Sequence, residues 1–194
     1  MLLFKVDFQK AFDSVNWEYL ESILSQMGYG DKWRMWIRGC LHSARLSVII
    51  NGSPTKEFEM KRGVRQGDPL SLFLFIIAME GLNIAMRAAC QKGIFRGIKV
   101  PHSETTISHL FYADDALFVG EWNQDNIKNL VRVLRCFQVA SGLKVNFSKS
   151  RVFGIEVDMQ EITRWAAPLG CEPASLPFTY LGIPVGANMK LKKH

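Results

Sequence analysis

Residues 109–120 read HLFYADDALFVG, with Asp114 and Asp115 side by side between two apolar runs. Unpaired carboxylates in an apolar setting are costly to desolvate, and two neighbours also repel each other. A third carboxylate stands near the start of the chain, in LFKVDFQKAFDSVNW. There Asp7 lies between Val6 and Phe8, and strand alternation turns it to the face opposite these apolar neighbours. If the two strands are neighbours, Asp7 and Asp114 converge, with Asp115 slightly apart. Carboxylates gathered in this way call for a cation, and hard oxygen donors select Mg2+ or Mn2+. Two such ions about 4 Å apart are the usual apparatus of in-line phosphoryl transfer. The competing reading of Asp114-Asp115 is plain turn chemistry, since Asp favours tight turns. Asp13, in the same segment as Asp7, reads as a helix-start residue.

A second group of chemically capable residues is KRGVRQGDPLS at 61–71. Lys61, Arg62 and Arg65 cluster just before a helix start at Asp68-Pro69, where an N-cap is followed by proline at the first helical position. Free amides and the helix dipole at such a start attract phosphate, and the nearby guanidinium groups strengthen the attraction. Gly63 and Gly67 would let the backbone approach a ligand closely. The alternative is a basic, exposed turn ahead of a buried helix. Asp68 reads as the cap rather than as a ligand.

The elements that must position these groups follow from local pattern. LFKVDF is a short strand. A helix follows from about Asn16, with Leu20, Ile23, Leu24 and Met27 on one face and a stop at Gly28. A second begins near Asp31 and carries Trp33, Trp36, Ile37 and Cys40. Residues 45–60 read as a hairpin turning at Asn51-Gly52. The helix from Asp68-Pro69 runs on to end before Gly93, and residues 107–119 form strand, turn and strand. A helix from about Asp125 reaches Gly142, after which LKVNFSKSRVFGI returns as extended chain. Asp158 and Glu161 have capping-box spacing ahead of a last helix to Leu169. FTYLGIPVG closes the set as a short strand and turn. Helices and mainly antiparallel strands thus alternate without a regular βαβ rhythm, which predicts an α+β layer: a small antiparallel sheet with helices on one face.

The chain has 194 residues, 48% of them hydrophobic and 22% charged, which suits a globular domain or part of a larger one. Its net charge of +6 favours an anionic partner such as nucleic acid, although much of the excess lies in the final KLKKH, which equally reads as a solvated tail. Cys40, Cys90, Cys136 and Cys171 are far apart and form no CxxC pair, so reduced thiols in an intracellular setting are expected. The start MLLFKVDF meets Lys5 and Asp7 too soon for a secretory signal. The longest apolar run, LFLFIIAM at 72–79, is far short of a membrane span, so no membrane partner is expected. His42, His102, His109 and His194 show no ligand spacing, which argues against a metal-dependent phosphohydrolase.

Five blocks occur in order: KVDFQKAFDSVNW, GVRQGDPLSLFLF, FYADDALFV, GLKVNFSKS and FTYLGIPVG. Together they resemble the reverse transcriptases of LINE-type, non-LTR retrotransposons, particularly those common in plant genomes, over nearly the whole chain. The resemblance implies a polymerase palm and an RNA-directed DNA polymerase, a nucleotidyltransferase working with two Mg2+ ions (or Mn2+) on an RNA template, a DNA primer and dNTPs. It implies that Asp7, Asp114 and Asp115 are the metal-binding catalytic carboxylates, the last two as the Asp pair of a YxDD turn. Phe12 matches the bulky residue that excludes a 2′-hydroxyl from the incoming sugar; taken alone it is an ordinary core aromatic. Gln66 and Gly67, beside the basic Arg65, match the dipeptide that contacts the incoming nucleotide. Lys149 matches the lysine that protonates pyrophosphate, with Lys144 as a competing alignment. Tyr180, Leu181 and Gly182 match the turn that grips the primer end.

The resemblance also frames what is expected of the chain as a whole. Residues 1–194 read as a partial reverse transcriptase domain, the palm, with the fingers upstream and the thumb downstream largely missing. Ser71-Leu72 stands where Ser-Pro is usual, a minor departure at a helix start already set by Asp68-Pro69. A nuclear location follows from the family, with no basic localisation run in the sequence to mark it. The alternative is a truncated, non-catalytic remnant that at most binds nucleic acid.

Overall fold

The computed structural model describes residues 1–187; the basic KLKKH end lies outside the described residues. In chain order the first elements are β1 (Leu2–Val6), α1 (Ala11–Ser14), α2 (Trp17–Gln26), α3 (Asp31–His42), β2 (Arg45–Leu46), β3 (Ile49–Ile50), β4 (Ser53–Pro54) and β5 (Phe58–Glu59). Then come α4 (Pro69–Gln91), β6 (Ile98–Lys99), β7 (Thr106–Ile107), β8 (His109–Tyr112), β9 (Asp115–Gly120) and α5 (Gln124–Ser141). The chain continues with β10 (Arg151–Gly154), α6 (Met159–Ala166), a 3-10 turn at Ala167–Leu169, β11 (Glu172–Ala174), β12 (Phe178–Tyr180) and β13 (Ile183–Val185). These fall into two compact units, one of residues 1–7, 89–131 and 145 onward, the other of residues 8–88 and 132–144.

The first unit is built on a five-stranded sheet in the order β11-β10-β1-β9-β8. β1 is central because both its faces are apolar: Leu2, Phe4 and Val6 are at most 2% exposed, and Leu3 on the other face is 5% exposed. The sheet is antiparallel except at one edge, where β10 and β11 run parallel. That departure from the expected antiparallel sheet has a simple cause. The chain between them forms α6, and such a crossover returns a strand in the same direction. One face of the sheet carries Leu3, Leu117, Val119 and Phe153, with Tyr180, Phe178, Val185, Ile98 and Ile107 of the two small hairpins packed on them. On the other, Gly120 has no room for a side chain, since a Cβ would stand 2.7 Å from the Phe95 ring. Buried Asn126 joins the segments there, accepting from the Arg96 N–H at 2.7 Å and donating to the carbonyls of Arg96 and Glu121.

Asp158 caps α6 as expected, accepting from the Gln160 N–H at 2.9 Å. The capping box does not close on it, because Glu161 instead accepts from the Trp122 indole N–H at 2.9 Å, beside the stacked rings of Trp122 and Trp165.

In the second unit, Asn16 caps α2 by accepting from the N–H groups of Glu18 and Tyr19, and Gly28 ends it at φ +82°. α3 is more exposed than its aromatic content suggests: Ile37 is its one buried residue, and Trp36 is 55% exposed. Glu21 of α2 receives both Arg34 (2.7 Å) and Arg38 (3.0 Å) of α3. The Asn51-Gly52 turn forms with both residues at positive φ, the pattern of a I′ hairpin, and leaves Ile49 and Ile50 exposed. α4 buries Leu74, Phe75, Ala78, Leu82 and Met86 almost completely. The Tyr19 hydroxyl donates to the Ala78 carbonyl at 2.9 Å, in the space that Gly81 leaves by having no side chain. The short apolar run at 72–79 understates this helix, which by length and composition alone could cross a bilayer. Its buried face is core.

Candidate active site

The Asp114-Asp115 pair sits on a tight hairpin. β8 and β9 pair as far as Tyr112 opposite Asp115, leaving Ala113 and Asp114 as a two-residue turn. Ala113 has φ +51° and Asp114 is not positive, the pattern of a II′ turn. A non-glycine residue there costs about 1–2 kcal/mol, so the flanking strands must impose the turn. β1 pairs with β9 as far as Val6 opposite Ala116. Asp7 and Asp115 each directly adjoin this last pair. Asp114, with which the sequence suggests that Asp7 converges, stands on the exposed turn.

Asp7 is fixed through its backbone. Its N–H donates to the Ser150 hydroxyl oxygen at 3.2 Å, and its carbonyl accepts from the Asn146 N–H at 2.8 Å. The Ser150 hydroxyl in turn donates to the Asn146 carbonyl at 2.8 Å. KVNFSKS is therefore not extended through to Arg151 but folds into a turn at 147–149. Lys149 is exposed on that turn.

Lys5 lies on the same face of β1 as Asp7, two residues before it. Its Nζ is 3.7 Å from Asp115 Oδ1 and 5.8 Å from the centre of the Tyr180 ring. Tyr180 is buried, and its hydroxyl donates to the Leu110 carbonyl of β8 at 3.4 Å. Burial pushes the Tyr180 phenol above its ordinary pKa, and the Asp115 charge adds to the shift. Leu181 and Gly182, both at positive φ and exposed, make the I′ turn between β12 and β13. In the first unit the structure thus brings together Asp115 and Tyr180, with Asp7 directly after the strand that pairs with β9. It adds Lys5 and Ser150, which the sequence reading did not single out. Lys5 was detectable as the lone charge in an otherwise apolar strand; Ser150 carried no local signal.

The remaining residues belong to the second unit. Phe12 stacks on Phe75 with centroids 4.6 Å apart, and its carbonyl accepts from the Val64 N–H at 2.7 Å. Arg65, Gln66 and Gly67 are exposed on the turn before α4, whose cap Asp68 accepts from the Leu70 N–H at 2.8 Å. Gly67 (φ +88°) faces open space, as a ligand-approach role requires. Gly63 does not: a Cβ there would lie 2.6 Å from the Asp13 carbonyl oxygen, so its close approach is to the chain's own backbone. Asp13 lies in the first turn of α1, the helix-start place expected of it, while the cap position is held by Lys10 in the left-handed region.

Among the described residues, no three of His, Cys, Asp and Glu are gathered closely enough to hold a metal ion by themselves. Mg2+ is ordinarily held by only one or two carboxylates, with waters and substrate phosphates completing the shell. The donors at this end of the sheet are carboxylate oxygens, the chemistry that Mg2+ and Mn2+ prefer.

Residues 1–185 match the family model described as reverse transcriptase (RNA-dependent DNA polymerase). The chain is 32% identical over 148 residues to the Transposon TX1 uncharacterized 149 kDa protein of Xenopus laevis, covering 75% of this chain and 11% of that protein. It is 30% identical over 146 residues to a retrovirus-related Pol polyprotein from type-1 retrotransposable element R2 of Popillia japonica, covering 75% of this chain and 20% of the relative. The chain therefore spans only a minor part of these relatives. In fold it is similar to apo telomerase from Candida tropicalis truncated from the C-terminal domain, with TM-score 0.62 and 18% identity over 81% of this chain and 31% of that one. The palm architecture expected from the motifs is thus the one found. The chain belongs to the reverse transcriptase (RNA-dependent DNA polymerase) family, alongside the polymerases of LINE-type, non-LTR retrotransposable elements.

Proposed function

We propose that this chain is the palm portion of an RNA-directed DNA polymerase that joins dNTPs to a DNA primer as an RNA template directs. The observation that supports the reading is that β1, which ends one residue before Asp7, pairs with β9, which begins at Asp115 of the YADD turn, within a chain of this family. Asp7, Asp114 and Asp115 would hold the divalent cations, two Mg2+ in the full reading, which supply charge neutralisation at the phosphates and a more acidic primer hydroxyl. The 3′-oxygen attacks the α-phosphorus, the bond to pyrophosphate breaks, and the hydroxyl proton leaves to solvent. Lys149, on the turn fastened to Asp7, donates a proton to the departing pyrophosphate. Phe12 bounds the space for the sugar, Arg65, Gln66 and Gly67 meet the incoming nucleotide, and the Tyr180–Gly182 turn supports the primer end. Contacts to the RNA–DNA duplex would be mainly to backbone and sugar, and so weaken with salt.

The test is template-dependent dNTP incorporation in Mg2+. We expect Asp114→Ala to abolish it by at least about 100-fold with circular dichroism unchanged, a loss of the size seen when a transition-state charge partner is removed. Incorporation that survives Asp114→Ala would sink the proposal. A second reading is favoured by the net charge of +6, which suits a polyanionic partner whether or not chemistry follows. In it, the chain binds nucleic acid without chemistry. Salt-sensitive duplex binding with no incorporation in Mg2+ or Mn2+ would select it.

A further inference from the structure

Lys5 is a cation set among apolar residues of its sheet face. Its neighbours there are Leu3, Leu117, Val119, Phe153 and Tyr180, and its side chain is only 33% exposed. Its cross-strand partner on β10 is Arg151, but that guanidinium is occupied by Glu172 at 3.4 Å. Lys5 is left to face Asp115 on one side and the Tyr180 ring on the other. Tyr180 meanwhile reaches Leu110 on the other arm of the YADD hairpin through its hydroxyl. The β12–β13 hairpin is therefore strapped to the YADD hairpin twice, once directly at β8 and once through Lys5 at β9.

We infer that Lys5 is a positioning residue that ties the Asp115 carboxylate to the Tyr180 ring, so that the YADD turn and the Tyr180–Gly182 turn move as one body. The inference deepens the polymerase reading and rests on it for its consequence at the primer. Without the ammonium group, Asp115 keeps an unbalanced charge beside the primer phosphates, and the Tyr180 ring loses the cation over its face. Truncating the charge while keeping the stem, in Lys5→Met, separates this role from packing. Lys5→Arg restores a cation suited to both a carboxylate and an aromatic face.

Two measurements on the 194-residue chain test it. In the first, NMR of 13Cε-labelled lysine should show the Lys5 methylene shifted upfield by the Tyr180 ring, and the shift should vanish in Tyr180→Leu. A Lys5 signal indifferent to Tyr180→Leu would overturn the tether, whether or not the chain polymerises. In the second, affinity for an RNA-template–DNA-primer duplex is read by fluorescence anisotropy in EDTA. Lys5→Met should weaken binding about three- to tenfold, Lys5→Arg should recover most of it, and Lys5→Met combined with Tyr180→Leu should lose no more than the worse single change. Additive losses, or no rescue by arginine, would mean that Lys5 acts only as one more positive charge, and the inference would fall. In primer extension, the effect should appear in KM for the duplex and not in KM for dNTP. Absence of extension by the unsubstituted chain would count against the polymerase reading alone, since the NMR and anisotropy measurements need no turnover.

Discussion

The backbone N–H of Asp7 donates to the side-chain oxygen of Ser150, a residue 143 positions further along the chain. Ser150 is fully buried, and its hydroxyl proton goes to the Asn146 carbonyl, so one side chain joins the Asp7 strand to the Lys149 turn. Ser150→Ala removes both bonds and leaves a partly buried N–H without its partner. The expected cost is about 1–3 kcal/mol in urea denaturation. Incorporation should fall further than stability explains, because a displacement of about 1 Å at a reacting group can cost about 100-fold. An alanine variant that unfolds and incorporates like the unsubstituted chain would show that the link positions nothing.

Gly63 makes a second strong prediction, because two constraints coincide there. Its φ is +83°, and a Cβ would meet the Asp13 backbone at 2.6 Å, where nothing flexible can yield. Its N–H and carbonyl are also engaged, with the Val15 carbonyl and the Trp17 indole N–H, both at 2.7 Å. Gly63→Ala should therefore cost more than about 2 kcal/mol. Gly67→Ala is the control: its φ of +88° carries the same backbone penalty, about 1 kcal/mol, but the space around it is open. Thermal melts of the two variants should be well separated. Equal losses would mean that the Asp13 contact is relieved cheaply.

Most of what was legible in the sequence was local. The YADD and Asn51-Gly52 hairpins, the Asn16 and Asp158 caps and the Pro69 helix start are each set by a few adjacent residues with strong turn or cap chemistry. What escaped was long-range or competitive. The pairing of β1 with β9, which brings the strand before Asp7 beside the YADD hairpin, depends on a register shared by strands a hundred residues apart, and a shift of one residue would change it. Glu161 had the spacing of a capping box but found the Trp122 indole, a partner that no local pattern announces. Gly63 reads from spacing as a place where the backbone approaches a ligand, but its close approach is to the chain's own backbone at Asp13, a long-range contact that spacing does not reveal.

The last prediction concerns alkaline pH. Burial pushes the Cys171 thiol from 9.0 up to about 12 and drives the Tyr19 phenol well above its ordinary 10.0. Both groups are neutral in the fold and ionise more easily in the unfolded chain. The stability they contribute is therefore fully present below their ordinary values and is lost as pH rises through the raised ones. The urea midpoint should stay level between neutral pH and about pH 9 with respect to these two groups, then fall steadily as the unfolded chain begins to ionise. Tyr19→Phe should lower stability at neutral pH by about 1 kcal/mol, through loss of the hydrogen bond to the Ala78 carbonyl, and make the alkaline fall shallower. The thiol offers an independent measure. At pH 8.5 iodoacetamide should modify exposed Cys40 and Cys136 well before Cys171, and mass spectrometry of the digested chain would give the order. Rapid alkylation of Cys171 in the folded chain, or an alkaline fall unchanged by Tyr19→Phe, would contradict the burial that sets both shifts.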